Sequence, residues 1–381
     1  MSTRLSCALL ALVFLSATNT YAQSAMPTPA PPIVGAKSYL VIDARTGHEL
    51  ASLDPDSPLA PASLTKIMTT YVVFMALGQG QIQLDDEVTI SERAWRMPGS
   101  RMFVEVGTRV TIEDLLMGMI VQSGNDASVA LAEHIAGTEG VFAQMMNQYA
   151  QQLGMLSSHF VNATGLPAEG HVTTARDLAT LARAIVQEFP DYYLWHAIKE
   201  YTYNDIKQSN RNSLLWRDPS VDGLKTGHTD EAGYCLVSSA QRDGMRVVSV
   251  VLGTSSTKAR TNGSQALINY AFRFFETRLL YKAGEEVATT RVWKSENITS
   301  RLGVLEDLYI TVPRGSYEKL ESTLDIPAIV LAPIAAGQPL AELKISLGSD
   351  PLLSTPLRAL EDNPIGSFWQ RTKDSISLWF E

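Results

Sequence analysis

The chain has 381 residues, a formal net charge of −9 and two cysteines, and 45% of its residues are hydrophobic. This length favours two domains and allows a hydrophobic core that needs no disulfide. With 19% charged and 8% aromatic residues, the composition excludes a disordered or collagen-like chain. The acidic balance argues against nucleic acid as a partner, because proteins that bind nucleic acid carry clustered Lys and Arg.

Residues 1–22 have the pattern of a secretory signal peptide, with an apolar run that leads to a small-x-small cleavage site ending at Ala22. The run is too short for a bilayer span, which takes about 20 residues. A Pro- and Ala-rich stretch follows, so we predict a tether over 23–34 rather than a buried N-terminal helix. Cleavage removes Cys7 and leaves Cys235, whose apolar neighbours predict a core thiol.

Residues 35–280 carry alternating strand and helix patterns. Strand patterns at both ends with helix patterns between them predict a layered α/β domain. The predicted strands are 38–43, 48–51, 233–239 and 245–253, and the predicted helices are 67–77, 111–121, 126–135, 173–185 and 265–277.

The pattern changes after this domain. Residues 283–352 hold short alternating runs between Gly and Pro turns, which predict a small all-β sandwich. Residues 353–381 predict a linker and an amphipathic helix that begins at Asn363-Pro364. We predict that this helix anchors the protein on a membrane surface; a helix docked on its own domain is the alternative. Its predicted apolar face consists of Ile365, Phe368, Trp369, Thr372, Ile376, Trp379 and Phe380.

The first motif with chemical meaning is Ser63-Leu-Thr-Lys66, at the start of the long apolar helix. The i, i+3 spacing puts the two side chains on one helix face. A serine hydroxyl needs a base to become a nucleophile, and a lysine can serve when burial and nearby cations lower its pKa. Two more Ser-x-x-Lys matches begin at Ser255 and Ser316, but only Ser63 follows a Pro-Ala turn and opens a buried helix.

Two further motifs follow in the α/β domain. Ser123-Gly-Asn125 lies in a predicted loop, where Ser123 can relay a proton and Asn125 can hold a substrate carbonyl; alternatively, Asn125 caps the next helix. Lys225-Thr226-Gly227 precedes a predicted strand, and an edge strand here can bind an extended peptide. Thr226 can hydrogen-bond a carboxylate, and Gly227 allows close approach.

Ser-x-x-Lys, Ser-x-Asn and Lys-Thr-Gly occur in the order described for penicillin-recognising serine acyl enzymes. The chain resembles the D-alanyl-D-alanine carboxypeptidases, the low-molecular-mass penicillin-binding proteins of Gram-negative bacteria, in their membrane-tethered branch. This resemblance implies a serine transpeptidase/β-lactamase-like catalytic domain before the β-sandwich and the terminal helix. The segments that carry the resemblance are 61–66, 122–127, 173–179, 210–216, 221–229 and 272–277.

The resemblance also implies roles for individual residues. Ser63 would attack the penultimate D-Ala carbonyl of a peptidoglycan stem peptide, with Lys66 as general base. The backbone N–H groups of Ser63 and His228 would form the oxyanion hole. Ser123 and Lys225 would pass the proton to the departing D-Ala.

Substrate contacts follow from the same resemblance. Asn125 would orient the substrate amide, and Gly227 would let the peptide approach the strand. Thr226, with Arg260 and Arg211, would hold the terminal carboxylate. β-Lactams would acylate the same serine. The resemblance implies no metal and no cofactor, and it places the protein in the periplasm, peripheral on the outer face of the inner membrane.

Other enzyme classes fit less well. A class A β-lactamase usually has Ser-Asp-Asn as its middle motif and needs a deacylating glutamate, whereas this chain has Ser-Gly-Asn and no Glu-x-x-Leu-Asn after Ile135. A Ser-His-Asp hydrolase or a zinc peptidase would need Gly-x-Ser-x-Gly or His-Glu-x-x-His, and both are absent. A DD-endopeptidase of the same superfamily and a non-enzymatic peptidoglycan sensor remain as alternatives.

Overall fold

The structure is a computed structural model, and it describes residues 28–380. The predicted signal peptide, 1–22, lies outside the described residues. The α-helices are α1 (Thr65–Gly78), α2 (Glu92–Trp95), α3 (Ile112–Val121), α4 (Asn125–Ala136), α5 (Glu139–Gln152), α6 (Ala175–Glu188), α7 (Pro190–Tyr193), α8 (Leu214–Arg217), α9 (Thr257–Phe274) and α10 (Phe368–Ser377). The strands are β1 (Ser38–Asp43), β2 (Glu49–Leu53), β3 (Glu87–Thr89), β4 (Arg109–Thr111), β5 (Glu200–Tyr203), β6 (Ile206–Ser209), β7 (Val221–Thr229), β8 (Gly233–Arg242), β9 (Met245–Thr254), β10 (Phe275–Tyr281), β11 (Glu286–Arg291), β12 (Thr299–Gly303), β13 (Leu308–Pro313), β14 (Leu320–Asp325), β15 (Pro339–Leu347) and β16 (Asp350–Ala359).

An antiparallel five-stranded sheet in the order β2-β1-β9-β8-β7 forms the middle layer of the first domain. Strand β9 shows why both faces of this sheet are covered. Val247 and Val251 belong to the core shared with α9, while Val248 and Val250 belong to the core shared with α1 and α6. The period-2 alternation of buried residues therefore produces the three-layer α/β architecture that the sequence predicts.

The predicted helix start at Thr111 is confirmed, and of the two candidate caps Thr173 and Thr174 the second is the one used. The Thr111 hydroxyl accepts a hydrogen bond from the backbone N–H of Asp114, and the Thr174 hydroxyl accepts one from Asp177. These contacts satisfy backbone donors that the first turn of a helix leaves without partners.

The predicted helix 265–277 is wrong at both ends. Helix α9 begins eight residues earlier, because the Ser256 side chain accepts a hydrogen bond from the Ala259 N–H and caps it. The segment after Phe274 is not helical: Phe275 opens strand β10, which pairs with β13. Strand pairing therefore overrides the helix pattern at this point. The extra Ser-x-x-Lys match at Ser255 therefore lies at the start of α9.

The second domain is all-β, as predicted. Strands β11, β12, β16, β15 and β14 form one sheet in that order, and β10 pairs with β13 beside it. Leu302, Ile310, Val312 and Ile345 are buried in the core between these strands. Helix α9 ends at Phe274 and β10 begins at Phe275, so no linker residue separates the last helix of the first domain from the first strand of the second.

The terminal helix is present, but its predicted start at Asn363-Pro364 is wrong. Asn363 instead pairs with Ile334 in a β-bridge, and its side-chain amide donates to the Asn297 carbonyl oxygen. The helix begins at Phe368 after Ser367, whose hydroxyl accepts from the Gln370 N–H. The described residues include no helix with the length and apolar character that a bilayer crossing requires.

Candidate active site

Ser63 lies in a single 3-10 turn, Ala62–Leu64, that leads into α1. The chain approaches this turn closely from two sides through glycines. A Cβ on Gly165, where φ is +82°, would lie 1.8 Å from the Ala62 carbonyl oxygen. A Cβ on Gly227 would lie 3.1 Å from Cγ of Leu64. Gly165 needs glycine because only a bare backbone fits there, whereas a Cβ on Gly227 would make its neighbours shift by a few tenths of an ångström.

Lys66 lies one turn after Ser63 and is 1% exposed. Its Nζ is 3.2 Å from Oγ of Ser63, 2.7 Å from Oδ1 of Asn125 and 2.6 Å from the Thr164 carbonyl oxygen. The pKa of Lys66 is lowered to about 7, mainly by burial; the charge of Arg211 also lowers it, and the carboxylates of Asp126 and Glu139 oppose the shift. A substantial neutral fraction near neutral pH gives the lysine the capacity to take a proton from the serine.

The Ser-x-Asn motif faces the same site. Ser123 has a positive φ of 67°, and its buried Oγ has no hydrogen-bond partner among the described residues. Asn125 is the first residue of α4, which Gly124 caps without a side-chain bond, so the helix-cap interpretation of Asn125 is wrong. The Asn125 side chain instead joins Lys66 to the Pro98 carbonyl oxygen, to which its Nδ2 donates at 2.6 Å.

Lys225, Thr226, Gly227 and His228 lie on β7, which is an edge strand of the central sheet. Lys225 is buried, and its Nζ contacts the Thr226 carbonyl oxygen at 3.3 Å. Burial holds the pKa of Lys225 well below its usual range, and the charges of Lys66, Arg211 and Arg260 add to this. The two lysines of the motifs are therefore electrostatically coupled across the site.

Arg260 and Arg211 supply positive charge beside β7. Arg260 is 5% exposed. Its Nη1 donates to the carbonyl oxygens of Gly227 and Cys235, at 3.1 and 3.4 Å. Its guanidinium group also lies 5.7 Å from the centre of the Tyr234 ring. Burial lowers the pKa of Arg260, and the nearby charge of Arg211 contributes to that shift. Two guanidinium groups therefore lie on the cavity wall, one buried (Arg260) and one exposed (Arg211), and such a pair is suited to an anionic ligand group.

A cavity of about 670 Å³ brings most of the predicted residues together. Its wall includes seven of the ten predicted site residues: Ser63, Ser123, Arg211, Thr226, Gly227, His228 and Arg260. The other three (Lys66, Asn125 and Lys225) are buried and contact the lining residues from beneath. The cavity therefore presents one hydroxyl backed by a buried amine, which is the arrangement that nucleophilic acyl transfer needs.

Several residues of the site were not predicted. The cavity wall also contains Gly99, Ser100, Tyr234 and Thr257, and the rings of His228 and Tyr234 lie 3.9 Å apart. Nothing local in the sequence marks the first two, because only the fold brings their loop to α4. No cluster of three metal-ligating side chains occurs within residues 28–380. Cys235 is a free, buried thiol, as predicted.

Comparison with known proteins agrees with this geometry. Residues 25–256 match the family described as D-alanyl-D-alanine carboxypeptidase, and residues 275–364 match the C-terminal domain of penicillin-binding protein 5. D-alanyl-D-alanine carboxypeptidase DacA of Escherichia coli (strain K12) is 39% identical over 360 residues, which cover 92% of this chain and 89% of DacA. DacC of the same strain is 40% identical over 379 residues, which cover 97% of this chain and 94% of DacC.

A solved structure supports the same assignment. Penicillin-binding protein 5 from Haemophilus influenzae superposes with a TM-score of 0.86 at 39% identity, covering 88% of this chain and 99% of that one. The resemblance seen in the sequence motifs is therefore confirmed over both domains. The chain belongs to the D-alanyl-D-alanine carboxypeptidase family, in the branch that carries the penicillin-binding protein 5 type of C-terminal domain.

Proposed function

We propose that the protein removes the terminal D-Ala from peptidoglycan stem pentapeptides as a serine carboxypeptidase, through an acyl-enzyme on Ser63. The observation that carries this proposal is the 3.2 Å contact between Oγ of Ser63 and Nζ of Lys66 at the wall of the cavity. The lowered pKa of Lys66, about 7, supports its role as the base.

Acylation begins when Oγ of Ser63 attacks the carbonyl carbon of the penultimate D-Ala. The serine proton moves to the neutral Nζ of Lys66. The substrate carbonyl oxygen becomes an oxyanion that accepts hydrogen bonds from the backbone N–H groups of Ser63 and His228. Losing one such donor typically costs about 10²–10³ in rate.

The bond to the terminal D-Ala then breaks, and the departing amine needs a proton. Ser123 lines the cavity, and its buried Oγ has no hydrogen-bond partner among the described residues, which supports a role in this transfer. Lys225 supports the relay through its electrostatic coupling to Lys66. Water then hydrolyses the ester on Ser63 and returns the free enzyme.

The substrate terminus is held at the cationic end of the cavity. We assign the carboxylate to Thr226, Arg260 and Arg211, because these residues share the cavity wall and supply a hydroxyl and two guanidinium groups. Asn125 orients the substrate amide. β-Lactams carry a carboxylate beside a strained amide, so the same groups position them for attack by the same serine.

The test compares wild type with Ser63→Ala on purified pentapeptide muropeptides, with mass spectrometry as the readout. Wild type is expected to remove one alanine from each pentapeptide, and Ser63→Ala to remove none. Equal release by both proteins would exclude Ser63 as the nucleophile. Cleavage of peptide cross-links in place of alanine release would favour an endopeptidase.

The terminal helix supports a location on the outer face of the inner membrane, in the periplasm. Asp374 is 5% exposed and accepts a hydrogen bond from the Lys294 N–H, so the polar face of α10 docks on the β domain. The apolar face points away from the domain: Phe368, Trp369, Ile376, Trp379 and Phe380 are 61–90% exposed. The helix therefore docks on its own domain, as in the alternative, but through its polar face, and the exposed apolar face favours a lipid surface as its partner.

Truncation after Gly366 tests this location. It keeps Asn363, which belongs to the β domain, and removes the whole helix. The truncated protein is expected in the soluble periplasmic fraction. A triple change of Trp369, Trp379 and Phe380 to serine keeps the Asp374 contact and is expected to fractionate in the same way. Membrane fractionation unchanged in both would refute attachment through the helix.

A further inference from the structure

Asp126 is a buried carboxylate that none of the assigned roles uses. It is the second residue of α4 and is 1% exposed. Its Oδ1 accepts the backbone N–H of Met102 at 3.0 Å and of Ala127 at 2.9 Å. Its Oδ2 accepts the N–H of Phe103 at 2.9 Å and of Val104 at 3.4 Å. Four backbone donors thus converge on one side chain, which binds a loop to the helix.

The same loop forms part of the cavity wall through Gly99 and Ser100. It is attached to α4 a second time by Asn125, whose N–H donates to the Ser100 carbonyl oxygen at 2.7 Å and whose Nδ2 donates to that of Pro98. These contacts hold the loop at Pro98 and Ser100, on either side of Gly99. Since Oδ1 of Asn125 also accepts from Lys66, the loop, the helix and the base form one connected unit.

The backbone conformation of the loop needs this support. Phe103 has a φ of +70° although it is bulky, and the residue is 44% exposed. A non-glycine residue in this region costs of order 1–3 kcal/mol unless its surroundings impose it. The Phe103 N–H donates to the Asp126 carboxylate, so the buried charge stabilises the strained turn directly.

Asp126 also acts on the base through its charge. The groups that shift the pKa of Lys66, besides burial, are the cation Arg211 and the carboxylates of Asp126 and Glu139. Lys225 is a further cation near Lys66, and the charge of Lys66 lowers the pKa of Lys225. The negative charge of Asp126 opposes the lowering caused by burial and by Arg211. Removing that charge leaves a less basic lysine.

We propose that Asp126 is a positioning residue for the acylation step: it fixes the cavity wall to α4 and, through Asn125, holds Lys66 against Ser63. This role rests on the proposed function, because it acts through the Ser63–Lys66 pair. An isosteric Asp126→Asn change replaces one acceptor oxygen with a donor that opposes the loop N–H groups. Misplacement of reacting groups by this route costs about 10²-fold in rate.

The experiment measures the acylation rate of full-length Asp126→Asn by a fluorescent penicillin, as a function of pH. Asp177→Asn is the matched control. Asp177 is also a buried carboxylate in the first turn of a helix, accepting the Ser157 N–H at 3.0 Å, and it does not line the cavity. Rates are normalised to the folded fraction from circular dichroism, so that a loss of stability does not count as a loss of rate.

Asp126→Asn is expected to be acylated about 10²-fold more slowly than wild type. The acidic limb of its pH profile, where the rate falls because Lys66 becomes protonated, is expected to move to lower pH. Asp177→Asn is expected to keep the wild-type rate per folded molecule and the wild-type limb. A normal rate in Asp126→Asn, an unmoved limb, or an equal loss in Asp177→Asn would overturn the proposal. Failure of the proposed function itself is distinct, because wild type would then not be acylated.

Discussion

Nζ of Lys66 lies 3.2 Å from Oγ of Ser63, in a place where the lysine is 1% exposed. Two further oxygen acceptors, from Asn125 and Thr164, surround the same nitrogen. A lysine in such a position is held in one orientation, and burial penalises its charge. The contact therefore joins a nucleophile to a base whose protonation changes near neutral pH.

The first prediction concerns pH. The pKa of Lys66 is lowered to about 7, so the lysine is cationic below this pH and neutral above it. Only the neutral form can accept the serine proton. The second-order acylation rate by a β-lactam is therefore expected to rise about tenfold per pH unit below the pKa and to level off above it.

Stopped-flow acylation on both sides of neutrality measures this profile. Lys66→Arg serves as control, because an arginine stays charged across the range and is expected to give a slow, flat profile. A wild-type rate that does not change with pH would contradict Lys66 as the base.

The second prediction concerns the close approach of β7 to the serine turn. In Gly227→Ala the new Cβ lies 3.1 Å from Cγ of Leu64 and 3.2 Å from the Pro61 carbonyl oxygen, so the strand must move by a few tenths of an ångström. The kcat/KM for pentapeptide is expected to fall about 10- to 10²-fold. Gly140→Ala, in α5 with nothing within 4 Å of the new Cβ, is the matched control. It is expected to keep full activity and to gain about 0.5–1 kcal/mol of stability; equal activity in both variants would be the contrary result.

The third prediction concerns recognition of the terminal carboxylate. Arg260→Lys keeps a positive charge but loses the guanidinium fork. Its KM for D-Ala-D-Ala peptides is expected to rise about tenfold or more, the equivalent of about 1.5–3 kcal/mol for a charge-assisted hydrogen bond. For wild type, replacing the terminal carboxylate of the same peptide by an amide should raise KM by a comparable factor. For Arg260→Lys, the same replacement should raise KM little further. If Arg260→Lys discriminates acid from amide as well as wild type does, Arg260 does not bind the carboxylate.

The fourth prediction concerns the fate of the β-lactam adduct. The residues that line the cavity include no Asp or Glu. Class A β-lactamases use a glutamate to hydrolyse the β-lactam adduct, so without one the hydrolysis of that adduct is expected to be slow. Nitrocefin should give a burst close to one equivalent of enzyme and then little turnover. Sustained turnover typical of a dedicated β-lactamase would be incompatible with this site.

Much of the site could be predicted because its chemistry is local in sequence. Ser63 and Lys66 lie one helical turn apart, and Lys225, Thr226 and Gly227 are consecutive on one strand. The relative positions of the side chains within each short motif therefore follow from the helix or strand on which the motif lies. The order of the motifs, together with the resemblance, was enough to predict the family and the α/β-plus-β architecture.

Other features depend on contacts that the sequence pattern does not contain. Gly99 and Ser100 reach the cavity only because Asn125 and Asp126 bind their loop from α4. The predicted C-terminal end of the helix 265–277 is wrong because Phe275 pairs with Pro313, a residue of the second domain. The predicted start of α10 is wrong because Asn363 hydrogen-bonds to the β domain rather than capping a helix.

The most direct test of the central claim is the location of the covalent adduct. Wild type and Ser63→Ala are incubated with a penicillin, digested, and analysed by tandem mass spectrometry. We expect one adduct per wild-type molecule, on Ser63, and none on Ser63→Ala, with Ser255 and Ser316 unmodified in both. An adduct on another serine, or an adduct that persists in Ser63→Ala, would contradict the account.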